Sequence, residues 1–268
     1  MKLATFNVNG INARTEILCD WLKSAAPDAL AIQETKTVDA GFPAEVFKPL
    51  GYESFFFGQK SYNGVAILVK KDAFKEAKLI AKNIPNYPDD SARAIAVELT
   101  EKDGIAFIFI GGYFPNGQEV GSDKYLYKLD WIASMTRWLR QLLTEKKSLV
   151  LAGDFNIAPT DNDVWNPEEW KDCILVSAPE RDAYTGLKEC GLIDLWEKTP
   201  HEPQTYSWWD YRQQGFEKNH GMRIDHIFAS VALASRLQSI TVDKSPRTKE
   251  RPSDHTPVVA IFGNSPTL

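Results

Sequence analysis

Nine short apolar runs punctuate the chain, at 3–8, 29–32, 52–57, 65–69, 94–99, 105–110, 149–152, 224–229 and 258–262. Each is rich in β-branched or aromatic residues and is bounded by polar or turn residues. Each therefore predicts a strand, most of them buried. A different period governs Tyr127, Trp131, Met135, Trp138 and Leu142, which step by three and four. That spacing predicts one apolar helical stripe, and core packing accounts for its aromatics. No repeat, low-complexity tract or long linker interrupts the pattern. Strands interspersed with helices predict a single α/β domain over 1–268, with one mixed sheet or two sheets packed face to face.

Composition narrows the setting. The 268 residues are 43% hydrophobic, ample for one large core. The net charge of −5 weighs against a nucleic-acid partner, except that acids collected in a metal site enter the same sum. Cys19, Cys173 and Cys190 are odd in number and widely spaced, which points to a reducing compartment without a disulfide framework. No stretch approaches the ~18 apolar residues of a membrane span, and the N-terminus has no long apolar signal region. The expectation is a soluble cytoplasmic protein, working at the nucleoid if its substrate is DNA.

The chemistry lies where strands begin and end. Residues 3–6 run into Asn7, 29–32 into Gln33-Glu34, and 149–153 into Asp154. Ser253-Asp254-His255 precedes 258–261, and Asp225 lies within Arg223-Ile224-Asp225-His226-Ile227-Phe228. A charge set against an apolar strand costs several kcal/mol unless it is paired or bound to metal. One such acid reads as a turn or helix cap, but several with few bases beside them read as a site. Oxygen ligands of this kind suit Mg²⁺ or Mn²⁺ rather than zinc, and no Cys/His pair has zinc spacing. Residues two apart in an extended segment share a face, so Asp154 with Asn156, and Asn7 with Asn9, would each address one pocket. Among the histidines, His255 is the functional candidate. His226 reads as structural, and His201 and His220 as solvated loop residues.

Seven segments then carry a resemblance. They are Asn7-Val8-Asn9-Gly10, Leu30-Ala31-Ile32-Gln33-Glu34-Thr35-Lys36, Gly112-Tyr113-Phe114-Pro115-Asn116-Gly117, Gly153-Asp154-Phe155-Asn156, Ser207-Trp208-Trp209-Asp210-Tyr211-Arg212, Gly221-Met222-Arg223-Ile224-Asp225 and Pro252-Ser253-Asp254-His255. In order and approximate spacing this chain resembles the exonuclease III family of AP endonucleases, within the endonuclease/exonuclease/phosphatase superfamily, from residue 2 to about 262. The resemblance implies a four-layered α/β sandwich of two packed mixed β-sheets flanked by helices, with the site at one edge.

It also implies roles. Glu34 would be the principal metal ligand, with Asn7 and Asp254 close to the ion, which would be Mg²⁺ with Mn²⁺ as substitute. Asp154 would activate the attacking water. Asn156 and His255 would contact the scissile phosphate, with Asp225 orienting His255 and Tyr113 beside the phosphate. Arg93, Asn116 and Arg212 would contact DNA, and Trp208 would line a pocket for the abasic sugar. The partner would be double-stranded DNA with abasic sites or blocked 3′ ends, met by a monomer without membrane attachment. The basic residues Lys244, Arg247, Lys249 and Arg251 and the loop 59–64 would grip phosphates.

The sequence departs from its relatives at Gly111, Ala183, Met222 and Thr256. Ala183 and the segment 161–177 bear on substrate preference, because such loops separate abasic incision from 3′-end trimming. The alternatives are a 3′-end processing nuclease without abasic incision, a phosphatase of inositol lipids or a sphingomyelinase, and a catalytically silent RNA-regulatory relative. Relatives of the last kind have lost catalytic carboxylates, whereas Glu34, Asp154, Asp225 and Asp254 are all present here.

Overall fold

A computed structural model describes residues 1–264. The strands are β1 (Lys2–Asn7), β2 (Ala29–Gln33), β3 (Tyr52–Phe57), β4 (Val65–Lys70), β5 (Glu76–Lys82), β6 (Ala94–Thr100), β7 (Ala106–Tyr113), β8 (Leu149–Asp154), β9 (Leu192–Asp194), β10 (Trp208–Trp209), β11 (Gly221–Met222), β12 (Asp225–Ser230), β13 (Leu237–Val242) and β14 (Val258–Phe262). The longer helices are α1 (Ile11–Ala25), α3 (Asp123–Thr144) and α5 (Ala178–Glu189); α2 (Ala44–Phe47), α4 (Pro167–Trp170) and α6 (Val231–Ala234) are single turns.

Two six-stranded sheets form, in the orders β13-β14-β1-β2-β4-β3 and β5-β6-β7-β8-β12-β9, with β10 and β11 as a separate ribbon. Each sheet holds one parallel pair, β1 with β2 and β7 with β8. A parallel pair needs a crossover, which a helix supplies: α1 links β1 to β2 and α3 links β7 to β8. The central strands are buried on both faces, because each sheet packs on its sister and on helices. Leu3, Ala31, Ile67, Val97, Phe109, Val150 and Ile227 fill the space between the sheets. Phe6, Leu18, Trp21 and Leu22 fill the outer space under α1. Ile108, Leu151 and Phe228 meet Trp131, Met135 and Trp138 of α3 on the other side. The result is helix, sheet, sheet, helix. This is the four-layered sandwich that the resemblance implied, and it resolves the choice left open by periodicity in favour of two sheets.

All nine apolar runs lie on strands, with small shifts of boundary. The run at 105–110 starts at Ala106 and extends through Gly111 and Gly112 to Tyr113. Besides α5, three longer elements have no apolar run. β5 is an edge strand exposed along most of its length, and β13 is an edge strand with one buried residue. Both therefore look polar in sequence. α1 carries its buried residues as Ile11, Leu18, Trp21 and Leu22 among polar neighbours.

Candidate active site

The C-terminal ends of β1, β2, β7 and β8 and the N-terminal end of β12 meet at one rim of the sandwich. Asn7 is in register with Gln33, while Asp154 is flanked by Tyr113 and Asp225. The first group belongs to one sheet and the second to the other. Asn7 joins them: its Nδ2 donates to Glu34 Oε1 and to Asp154 Oδ2, both at 2.9 Å.

Two strands end by the same device. Asn156 N donates to Asp154 Oδ1 at 2.9 Å, and Asn9 N donates to Asn7 Oδ1 at 3.0 Å. Such turns let a side chain substitute for a strand partner, and they tolerate left-handed backbone. Asn156 and Asn9 accordingly have φ of 50° and 46°. The expected pairing of Asp154 with Asn156, and of Asn7 with Asn9, therefore stands on turns and not on the strand pleat. Phe155 lies behind, fully buried and stacked on Phe114 at 4.1 Å between centroids. Glu34 also leaves its strand in a left-handed conformation, φ 53°. Its Oε2 pairs with Lys36 Nζ at 2.9 Å.

His255 and Asp225 form the second half of the site. His255 Nδ1 lies 2.8 Å from Asp225 Oδ2, and Nε2 lies 3.6 Å from Asp154 Oδ2. Burial disfavours the charged ring, but the Asp225 and Asp154 carboxylates outweigh it and lift the pKa to about 10. The ring is thus an imidazolium at neutral pH. Burial raises the Asp154 carboxyl to about 7; His255 opposes the rise, and Asp225 and Glu34 add to it. Burial, reinforced by Glu34 and Asp154, holds the Tyr113 phenol well above its usual range.

The remaining expected residues divide. Asp254 accepts from Asn9 Nδ2 at 2.9 Å and Trp208 Nε1 at 3.0 Å. It stands outside the group of Glu34, Asp154 and His255, whose ligand atoms lie within 4.8 Å of one another. Trp208 is half-buried beside Ile174 and Met222. Its neighbour Trp209 is core, with Nε1 donating to Asn219 Oδ1 at 3.1 Å. Asn116 Nδ2 donates to Asn156 Oδ1 at 3.1 Å. The Arg93 guanidinium lies over the Tyr113 and Tyr127 rings, at 5.0 and 5.8 Å, with Nη1 on Tyr113 O at 3.3 Å. Arg212 is exposed and forks onto Asp210, holding that carboxyl below its usual range.

Other expectations need correction. Arg247 does not reach outward for phosphate. It is buried, packed between Tyr211 and Phe216, because the turn of Ser245–Thr248 aims it inward. Lys249 and Arg251 are exposed. His201 and His220 are not free loop residues either: they stack on Trp196 and Trp165 at 3.4 and 3.8 Å. His226 is structural as expected, receiving Arg223 Nη1 on Nδ1 at 2.8 Å.

Comparison with known proteins fits this geometry. Residues 4–255 match the model of the Endonuclease/Exonuclease/phosphatase family. The chain belongs to that family. An exodeoxyribonuclease III of Haemophilus influenzae is 34% identical, over 98% of this chain and all of its own length. A 3′ phosphatase from Neisseria, bound to its product DNA hairpin, superposes with a TM-score of 0.87 at 37% identity, covering 98% of this chain and 99% of its own. An AP endonuclease from Archaeoglobus fulgidus gives 0.88 at 35% identity, with the same coverage.

Among family members the carboxylate cluster raises the question of a metal. The donors present are hard oxygens, and Glu34 and Asp154 face each other across Asn7 with their charges incompletely balanced. A divalent cation suits that set. His255 Nδ1 is already engaged by Asp225, which leaves Nε2 facing Asp154. The departures lie away from the reacting centre. Gly111 faces the inter-sheet core, Ala183 packs under α3, Met222 sits in the cluster behind Trp208, and Thr256 donates to Asp243 O.

Sequence reasoning passed over Ser207 as a site residue. Its Oγ donates to Asp225 Oδ2 at 2.7 Å and receives the amides of Ile224 and Asp225. Only the neighbouring tryptophans drew attention to its segment.

Proposed function

We propose that this protein is a divalent-metal-dependent nuclease of DNA repair. It incises double-stranded DNA 5′ to abasic sites and trims blocked 3′ ends, with Mg²⁺ as the natural ion and Mn²⁺ as substitute. One observation carries the reading: a buried carboxyl, Asp154, is held between a metal-type acid, Glu34, and the His255–Asp225 pair. Burial raises the Asp154 pKa from the usual carboxylate range towards neutral, which suits a general base. The imidazolium of His255 presents a proton on Nε2 to a phosphoryl oxygen, where charge develops. Tyr113 and Asn156 border the same space and orient the phosphate. A bound cation, held by Glu34 with Asn7 beside it, would add several kcal/mol of charge stabilisation and leave Asp154 free as the base. Trp208, beside Ile174 and Met222, offers an apolar wall suited to a sugar that lacks its base. Such a sugar is extruded at little stacking cost, which supports selectivity. Arg93, Asn116 and Arg212 are proposed to contact the flanking backbone.

The relatives support both activities, being named an exodeoxyribonuclease, a 3′ phosphatase and an AP endonuclease. A second reading is 3′-end processing without abasic incision; the Neisseria relative is named a 3′ phosphatase. A monomer working in the cytoplasm at the nucleoid, built as one domain, completes the proposal. The test is a duplex with one abasic-site analogue and a duplex with a 3′-phosphate, each incubated with Mg²⁺ and resolved by length. Incision 5′ to the analogue supports the first reading; action only on the 3′ end establishes the second. No cleavage of either overturns both. Trp208→Ala should erode the preference for the abasic duplex more than it slows 3′-end removal.

A further inference from the structure

One buried ion pair lies beside the site without belonging to its chemistry. Lys128, on α3, and Glu180, on α5, pair with both side chains fully buried. A buried pair of opposite charges is costly to desolvate and is seldom a gain over an apolar pair of equal volume. Its contacts show what it holds. Lys128 Nζ donates to Asn156 O at 2.7 Å and to Asn116 O at 3.1 Å. These are the backbone carbonyls of the two asparagines whose side chains bond across the phosphate side of the site. Glu180 receives the amides of Leu175 and Ser177, both at 3.1 Å, and the Ser177 hydroxyl at 2.6 Å. Ser177 Oγ in turn meets Tyr125 OH at 2.7 Å.

Two backbone anomalies sit at the ends of this chain of contacts. Asn156 has φ 50°, and Leu175 has φ 76°, a conformation that a bulky side chain adopts only when its surroundings impose it. Between them, Gly117 has φ 92°, and a side chain there would come within 2.9 Å of Ile174 and 3.1 Å of the Lys128 stem. The turn at 116–117, the asparagine at 156 and the segment at 174–177 are thus packed on one lysine and one glutamate.

We propose that Lys128 and Glu180 are positioning residues, which fix the Asn116–Asn156 pair relative to the segment 174–177. That segment packs with Trp208 and Met222 through Ile174 and Leu175. The pair therefore sets the spacing between the phosphate side of the site and the wall proposed for the sugar. The role rests on the nuclease reading, in which Asn156 meets the phosphate. An apolar pair of the same size could join the two helices. It would leave two carbonyls, two amides and a hydroxyl without their present partners.

The experiment separates stability from positioning. Lys128→Met leaves a buried carboxylate, so the test variant is Lys128→Met with Glu180→Gln, which removes both charges. Some fall in melting temperature is expected from the unpaired carbonyls, so turnover is read well below the transition. Turnover should be at least ~10-fold lower with KM little changed, since a misplacement of about 1 Å can cost as much as ~10²-fold. The side-chain amide NMR signals of Asn116 and Asn156 should shift and broaden while those of remote asparagines stay. A purely structural pair lowers the melting temperature but leaves turnover of the folded protein and those amide signals unmoved, and that result overturns the proposal. If the double variant does not fold, Glu180→Gln alone carries the test through the same amide signals, which must move. Should wild-type protein cleave no DNA, the nuclease reading fails, while the amide signals still decide whether the pair positions Asn116 and Asn156.

Discussion

At the residue scale, environment assigns different tasks to similar groups. Asp154, Asp225 and Glu34 are three neighbouring acids with different partners: a turn amide and Asn7, a histidine and Ser207, and Lys36 with Asn7. Asp154→Asn keeps the shape and the bond to the Asn156 amide but removes basicity. Turnover should fall by ~10²–10⁴-fold, the range for a general base, with DNA affinity little changed. A gel-shift alongside single-turnover rates checks this; collapsed binding with intact turnover would make Asp154 structural. His226 makes the opposite case. Burial and the Arg223 charge push its pKa well below 6.5. The unfolded chain therefore takes up a proton below about pH 6.5 that the native ring refuses. Stability from this group is present above that pH and is lost as pH falls, at up to ~1.4 kcal/mol per pH unit. Replacing His226 with Gln, which can still accept from Arg223 and donate to Ile157 O, should flatten the slope of urea stability between pH 7 and 5.

At the scale of elements, the site depends on how closely β7 and β8 approach. A Cβ on Gly153 would lie 1.9 Å from Gly112 O. That contact is with backbone, and it falls beside the Tyr113–Asp154 register. Gly153→Ala must push the strands apart, at about 3 kcal/mol, the upper end of overpacking costs. Calorimetry should show the loss, and activity should fall even where the protein remains folded. Gly51 offers the control. It has φ 84° but nothing within 4 Å, so Gly51→Ala should cost only the ~1 kcal/mol of left-handed strain.

At the scale of the molecule, the site exists because two sheets pack. Glu34 follows β2 of one sheet and Asp154 ends β8 of the other, and a bridging Asn7 is their meeting point. An ion held by Glu34 beside Asn7, which also bonds Asp154, should tie the sheets together. At 100 times its Kd, Mg²⁺ should raise stability by about 2.7 kcal/mol by mass action. Glu34→Gln should abolish that rise in thermal melts and lower cleavage at least ~10²-fold, about 2.7 kcal/mol in barrier. A melting rise that survives the substitution would place the ion elsewhere, and undiminished cleavage in EDTA would remove the metal from the reaction.

The sequence by itself determined the buried strands, the apolar face of α3 and the acids at strand ends. Each of these is a local pattern: β-branched runs, steps of three and four, and charges abutting apolar segments. It also carried the family, through seven motifs in register. The tertiary structure decided everything that depends on distance between remote segments. Two sheets were chosen over one because the central strands need burial on both faces. β5 and β13 could not be read because edge strands bury too little to leave a pattern. In sequence Arg247 reads as a phosphate contact and Asp254 as a residue close to the ion, yet one is packed between aromatic rings and the other receives Asn9 and Trp208. Glu180 has a local signature only as the third residue of a capping box with Ser177, and nothing local ties it to Lys128, 52 residues away. Their burial and their partners arise only when α3 and α5 pack against the same sheet, because a charge reveals its task only through what surrounds it.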